Sequence, residues 1–269
     1  VINDLSGYGR CSLTVAIPVL SAMGHQCCPI PTAILSNHTE FPVYFFDDYT
    51  EKMTTYTDKW KELGLSFDAI ATGFLGSEAQ IGIVMEIVQK LKAEKTFVVV
   101  DPVMGDHGHA YETYTPEMCE QMKELVCMAD VVLPNVTECC ILTDTPYREE
   151  NWTRKELLNM AMMLRLMGAK SVVITGVREG SCYTNVVLEQ GQYDAKFIRT
   201  RSSGGERPGT GDVFSSVVAG ALLNGKSLPE AVSQAAGFVK ECIKVSDEEQ
   251  IPHANGVCFE KILGKLIKK

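Results

Sequence analysis

The chain has 269 residues, of which 45% are hydrophobic, and a formal net charge of −9 with histidine neutral. That length suits one large α/β domain or two small ones, and the hydrophobic share supplies an extensive core. The negative balance argues against nucleic acid or an acidic membrane surface as partner, because both need clustered positive charge.

Short apolar runs alternate with amphipathic segments of helical length, the pattern of a mainly parallel sheet covered by helices. In chain order the pattern predicts a helix from Ser12 to Met23, a strand from Ala69 to Thr72, a helix from Glu78 to Ala93 and a strand from Phe97 to Val100. A helix from Thr115 to Ala129, a strand from Val131 to Leu133, a helix from Thr153 to Met167 and a strand from Ser171 to Thr175 follow. The last two long helices run from Asp212 to Asn224 and from Leu228 to Lys244. Gly24, Gly168 and Gly225 stand where a helix ends on a left-handed residue, and Ser227 with Glu230 forms a capping box. Two strand-like runs between Thr184 and Thr200 surround a Gly-containing turn and predict an antiparallel hairpin at the edge of the sheet. No repeat or linker-like stretch interrupts the pattern, so a single domain over residues 1–269 is expected, with the last dozen residues as an accessory helix.

The ten cysteines include adjacent pairs at Cys27-Cys28 and Cys139-Cys140 but no C-x-x-C. They lack zinc or redox-motif spacing and read as free thiols, which suits a cytoplasmic location. No apolar span is long enough for a membrane-crossing helix.

Ligands of open α/β sheets bind beyond the carboxyl ends of strands, so the residues just after each apolar run are the candidates. "FVVV" is followed by "DPVMGD" with Asp101 and Asp106, "VVL" by "PNVTE" with Asn135 and Glu138, and "SVVI" by "TGVRE" with Thr175, Gly176 and Arg178. Carboxylates and amides at one sheet edge can hold Mg²⁺ through oxygens and water, and Thr175 could donate to a phosphate oxygen. The same Asp and Asn residues could instead cap helices or shape turns.

Two stretches offer phosphate-binding readings. In "GTGD", Gly209, Thr210 and Gly211 precede a helical pattern, so backbone N–H groups and the positive end of a helix dipole would face an anion. Asp212 could then accept a proton from a hydroxyl attacking phosphorus. The stretch "GALLNGKS", Gly220 to Ser227, satisfies G-x-x-x-x-G-K-[ST] but lies across the far end of that helix, where the strand-loop-helix context of a P-loop is missing.

Together, "DPVMGD", "PNVTE", "VITG" and "RPGTGDVFSSVVAGALL" resemble the ribokinase-like superfamily of small-molecule kinases across nearly the whole chain. "TAILSNHTEFP" from Thr32 and "TGFLGS" from Thr72 are similar to segments of pyridoxal kinases. The resemblance implies a three-layer α/β sandwich, ATP with Mg²⁺ as donor and the 5′-hydroxymethyl of a B6 vitamer as acceptor. It makes Asp212 the catalytic base, Gly209 to Gly211 the anion hole, and Asp101, Asn135, Glu138 and Thr175 the residues that handle Mg-ATP, with Asp101 and Glu138 on the metal side. Thr32 falls on a substrate-side position, and the acceptor is expected near Asp4, Ser6 and Thr32. A homodimer and a monovalent cation such as K⁺ also come with the family. Asp4 stands where pyridoxal kinases commonly carry serine, and "NDLSGYGR" resembles hydroxymethylpyrimidine kinases there. Hydroxymethylpyrimidine (phosphate), sugar and nucleoside kinases therefore stay open as alternatives, as does a non-catalytic nucleotide- or vitamer-binding regulator. "GDHGHAY" falls at the family's lid, where His107 and His109 could contact phosphate or substrate or simply lie on the surface.

Overall fold

The elements, in chain order, are β1 (Ile2–Tyr8), α1 (Ser12–Ala22), β2 (Ile30–Asn37), β3 (Phe46–Asp48), α2 (Thr50–Glu62), β4 (Ala69–Thr72), α3 (Glu78–Leu91) and β5 (Phe97–Val100). Then come β6 (Gly105–Asp106), β7 (His109–Ala110), α4 (Pro116–Cys127), β8 (Val131–Val132), α5 (Val136–Leu142), α6 (Arg154–Met167), β9 (Ser171–Glu179), β10 (Cys182–Leu188), β11 (Lys196–Arg201), α7 (Thr210–Leu223) and α8 (Leu228–Glu248). The structure is a computed structural model that describes residues 1–267. The chain forms two compact units, one of residues 1–49 with the chain from Thr200 onward, the other of residues 50–199.

In the first unit β1 and β2 run parallel, and β3 pairs antiparallel with β2. The register slips between Asn3 and Leu5, which pair with Pro31 and Ile34, so Thr32 and Ala33 stand against the single residue Asp4. Such a bulge re-aims side chains. Helix α7 packs against both α1 and α8 and buries Val213, Val217, Val218 and Ala221 completely or nearly so.

In the second unit β4, β5, β8 and β9 are parallel, and β10 adds an antiparallel edge to β9. Val98, Val99 and Val100 of β5 are at most 1% exposed, and each contributes about 1.5–3 kcal/mol relative to an exposed side chain. Helix starts are fixed locally: Ser77 Oγ accepts from Gln80 N–H at 3.3 Å, Thr115 from Met118 N–H at 3.2 Å, and Thr153 from Glu156 N–H at 3.3 Å. Pro116, whose missing N–H costs nothing at a helix start, opens α4.

The mainly parallel α/β expectation holds, and the strands over Ala69–Thr72 and Phe97–Val100 fall where the sequence puts them. Helix α7 begins earlier than expected, at Thr210, and α8 runs on to Glu248. Helix α2 lacks a sequence signal because it buries only Met53 and Thr57, too few for an apolar period. The end of the chain is a 3-10 segment over Glu260–Leu266 rather than an accessory α-helix, and the last two residues of that expectation lie outside the described residues.

Candidate active site

The chemistry of the first unit gathers at the start of α7. Gly209 is its N-cap with φ of +79°, and the first intrahelical bond runs from Val213 N–H to Gly209 O at 3.0 Å. No side chain caps this end, unlike α3, α4, α5 and α6. The N–H groups of Thr210, Gly211 and Asp212 therefore precede the helical ladder and, with the helix dipole, make a concavity suited to an anion. The Thr210 hydroxyl donates to Arg207 O at 3.0 Å, which leaves the backbone as the anion-facing part of that residue.

Asp212 is half-buried beside this turn. Asn3 Nδ2 donates to its Oδ1 at 3.1 Å, and the backbone N–H of Ser12 also donates to the carboxylate. Burial pushes the Asp212 carboxyl up to about 6 and the charge of Asp4 adds to the rise, while the Ser12 and Asn3 donors oppose it. A group poised there is ionised at neutral pH yet accepts a proton readily, as a general base must.

The substrate-side candidates are closed in. Asp4 is 6% exposed and Ser6 0%, and Ser6 Oγ donates to Asp4 Oδ2 at 2.8 Å while Ser12 Oγ donates to Asp4 Oδ1 at 2.5 Å. Desolvation raises the Asp4 carboxyl above the usual range, against those hydroxyl bonds. The geometry thus spends Asp4 and Ser6 on the protein rather than on an open ring-binding surface. Thr32 is fully buried in β2, beside the bulge, with its carbonyl accepting from Tyr49 N–H at 3.0 Å.

The second unit collects the remaining candidates at the carboxyl ends of β5, β8 and β9. Asp101 N–H donates to Thr72 O at 3.2 Å, Thr175 N–H to Pro134 O at 2.8 Å, and Asn135 and Thr175 form a parallel bridge. Asn135 caps α5 and forms a capping box with Glu138, whose Oε2 accepts Asn135 N–H at 2.8 Å and whose Oε1 accepts Met104 N–H at 3.0 Å. Burial drives Glu138 well above the ordinary carboxylate range; the N–H donors oppose this and nearby Asp106 reinforces it. Gly176, with φ of +68°, donates its N–H to Asn185 Oδ1 at 3.3 Å. Arg178 is half-exposed and faces Glu149 at 3.5 Å and Glu150 at 3.6 Å, so its charge is matched by carboxylates.

Strands β6 and β7 form the hairpin at "GDHGHAY". Its turn residues, His107 and Gly108, both have positive φ, +50° and +83°, the requirement of a tight type I′ turn. The hairpin is held on α5: Asn135 Nδ2 donates to Gly105 O at 2.8 Å and Gly108 N–H to Thr137 Oγ1 at 2.9 Å. His107 and His109 are exposed.

Among the described residues no group of three His, Cys, Asp or Glu could hold a metal unaided. The Asp101 carboxylate is the kind of oxygen donor Mg²⁺ takes, whereas both Glu138 oxygens already accept backbone N–H groups, so Glu138 would meet such an ion through one of its waters. The P-loop-like stretch has another use. A Cβ on Gly220 would lie 2.6 Å from Met23 Sδ, so this glycine lets α7 pack closely on α1, and Gly225 with φ of +82° ends α7. Lys226 Nζ donates to Gln234 Oε1 at 2.7 Å. Sequence reasoning missed Asn3 and Ser12, whose only signals are a polar residue in a buried strand and a serine at a helix start.

The family model described as phosphomethylpyrimidine kinase matches residues 17–258. A Bacteroides thetaiotaomicron protein, provisionally named a phosphomethylpyrimidine kinase and crystallised with pyridoxal, is 39% identical, with a TM-score of 0.93 over 98% of this chain and 93% of that one. Pyridoxal kinase from Lactobacillus plantarum is 28% identical, with a TM-score of 0.91 over 98% of this chain and 94% of its own. A pyridoxine/pyridoxal/pyridoxamine kinase of Bordetella avium is 26% identical over 260 residues, 91% of this chain and 84% of that protein. This chain belongs to the phosphomethylpyrimidine kinase family and has its ribokinase-like α/β fold.

Proposed function

We propose that the chain is an ATP-dependent pyridoxal kinase that phosphorylates the 5′-hydroxymethyl group of a B6 vitamer. The observation that carries the reading is Asp212 beside the uncapped start of α7, a carboxylate with its pKa near 6 next to amides arranged for an anion. An aliphatic alcohol is a weak nucleophile at neutral pH, so its oxygen must be aligned and its proton taken as the phosphoryl group transfers. Asp212 does both, and the N–H groups of Thr210, Gly211 and Asp212 offset the charge on the phosphoryl oxygens. The pyridoxal held by the Bacteroides relative supports the acceptor.

Asp101, Asn135, Glu138 and Thr175 serve the nucleotide side. Bound Mg²⁺ supplies charge neutralisation at the phosphates. Asp101 and, through water, Glu138 would be its protein-side oxygens, and Asn135 keeps Glu138 in place through the capping box. Gly176 gives a backbone bend next to Thr175, and Arg178 remains a weaker candidate because of its acidic neighbours. The reading takes the whole chain as a single cytoplasmic kinase domain working as a homodimer, with a monovalent cation such as K⁺ as an accompanying ion. Small molecules are its partners, and no helix among the described residues is long and apolar enough to cross a membrane.

Hydroxymethylpyrimidine phosphorylation is the second reading, favoured by the matched family model and by "DLSG" at Asp4. Coupled ADP-release assays with pyridoxal, pyridoxine, pyridoxamine and hydroxymethylpyrimidine compare them directly. Turnover on the B6 vitamers supports the proposal, and turnover on the pyrimidine alone replaces it. Binding without turnover on any acceptor would point to a regulator. Lys226→Ala is expected to leave turnover within about twofold, because the lysine sits beyond the end of α7. A loss of about a hundredfold would revive the P-loop reading.

A further inference from the structure

We propose that Asn3, Asp4 and Ser12 are positioning residues that hold the Asp212 carboxylate in one orientation at the start of α7. The proposal rests on Asp212 being the base assigned above.

Strand β1 buries Asn3, Asp4 and Ser6 at 5%, 6% and 0% exposure, in an interior where an unsatisfied polar group is costly. Their bonds run toward one atom group. Asp4 N–H donates to Asn3 Oδ1 at 2.9 Å, which fixes the amide so that its NH₂ end meets Asp212 Oδ1 at 3.1 Å. From the other side, Ser12 Oγ donates to Asp4 Oδ1 at 2.5 Å while the Ser12 backbone N–H donates to Asp212. Ser12 has φ of +54°, a strained value for a residue with a side chain. This places its hydroxyl on Asp4 and its N–H on Asp212 at once. Asp4 therefore reaches Asp212 by two routes, its backbone N–H through the Asn3 amide and its carboxylate through Ser12.

Among the described residues the charges facing Asp212 are few. Asp4 faces it from β1, and its negative charge favours the protonated form of Asp212. Cys11, which precedes α1, is pushed up to about 12 by burial and by the two carboxylates, so it stays a neutral thiol. Helix α7 carries no other acid in its first turn.

Two substitutions should move Asp212 in opposite directions. Asp4→Asn keeps an acceptor for one serine hydroxyl, turns an NH₂ toward the other and deletes a negative charge, so it lowers the Asp212 pKa. Asn3→Ala deletes a donor to the carboxylate, so it raises it. Asp212 is followed by NMR titration of protein carrying ¹³C-carboxyl aspartate, without ligand, with its signal assigned by Asp212→Asn. Opposite shifts of about half a unit or more, with kcat lowered about tenfold and KM for the acceptor nearly unchanged, are expected. Both titrations staying within about 0.2 unit of the parent would overturn the proposal, as would an unmoved titration with a raised acceptor KM, which marks Asp4 as a direct substrate contact. If Asn3→Ala does not fold, Asp4→Asn decides alone: a downward shift supports the network and an unmoved one overturns it. Should the parent protein phosphorylate no acceptor, the kinase reading fails while the titration still tests the network.

Discussion

Asp212→Ala should lower kcat by about 10²–10⁴ while the protein stays folded. The loss follows from removing the carboxylate in the first turn of α7, beside its uncapped amides, where an attacking hydroxyl needs its proton taken. The parent enzyme should lose kcat/KM as the pH falls through about 6, because protonated Asp212 cannot accept a proton. The residual activity of Asp212→Ala should lack that limb. Stability moves the other way. The folded state holds the Asp212 carboxyl at about 6, above its unfolded value, so folding favours the protonated form. As the pH rises from about 4 to 6, the unfolded chain gives up its proton first and stability falls, and above that range the cost of the buried charge is fully present. Alanine removes that cost, which offsets the loss of the Asn3 and Ser12 bonds, so at pH 8 the Tm should hold or rise. Near-normal turnover in a folded Asp212→Ala protein would remove Asp212 from the mechanism.

How much of this is legible in the sequence depends on the distance over which each signal acts. The short-range signals read directly: "FVVV" from Phe97 to Val100 makes a buried strand, and Ser227 with Glu230 boxes the start of α8 through bonds three residues long. The strand-end residues Asp101, Asn135 and Thr175 are legible because parallel topology brings successive strand ends together. The state of Asp4 is not. In sequence it is an acid beside a Ser-Gly turn; in the fold Ser6 and Ser12 occupy both its oxygens. Arg178 likewise reads in the sequence as a strand-end candidate for the ligand, whereas in the fold Glu149 and Glu150 face it. The positive φ of Ser12 has no residue-type signature, since serine rarely adopts it.

Gly209→Ala should abolish most phosphoryl transfer and also lower Tm, by about 5–15 °C for a chain of this size. Two costs combine. Gly209 has φ of +79°, where a side chain costs about 1–2 kcal/mol. An ideal Cβ there would also lie 1.8 Å from Arg10 O, a backbone atom that cannot swing aside. Arg10 is itself fastened, with Nη1 donating to Asn255 O at 3.0 Å and Nε to Glu260 at 2.7 Å. The loop before Gly209 has no more freedom: Arg207 donates to Asp247 at 2.8 Å and to Ile251 O at 2.9 Å, and Val257 N–H to Pro208 O at 3.1 Å. The new methyl must therefore displace the first turn of α7, the part that carries the anion-facing amides and Asp212. Gly211→Ala is the control, since a Cβ there meets nothing within 4 Å and alanine favours a helix over glycine. It should hold or raise Tm, so a fall equal to that of Gly209→Ala would show that loss of glycine, rather than the collision with Arg10, disturbs the turn.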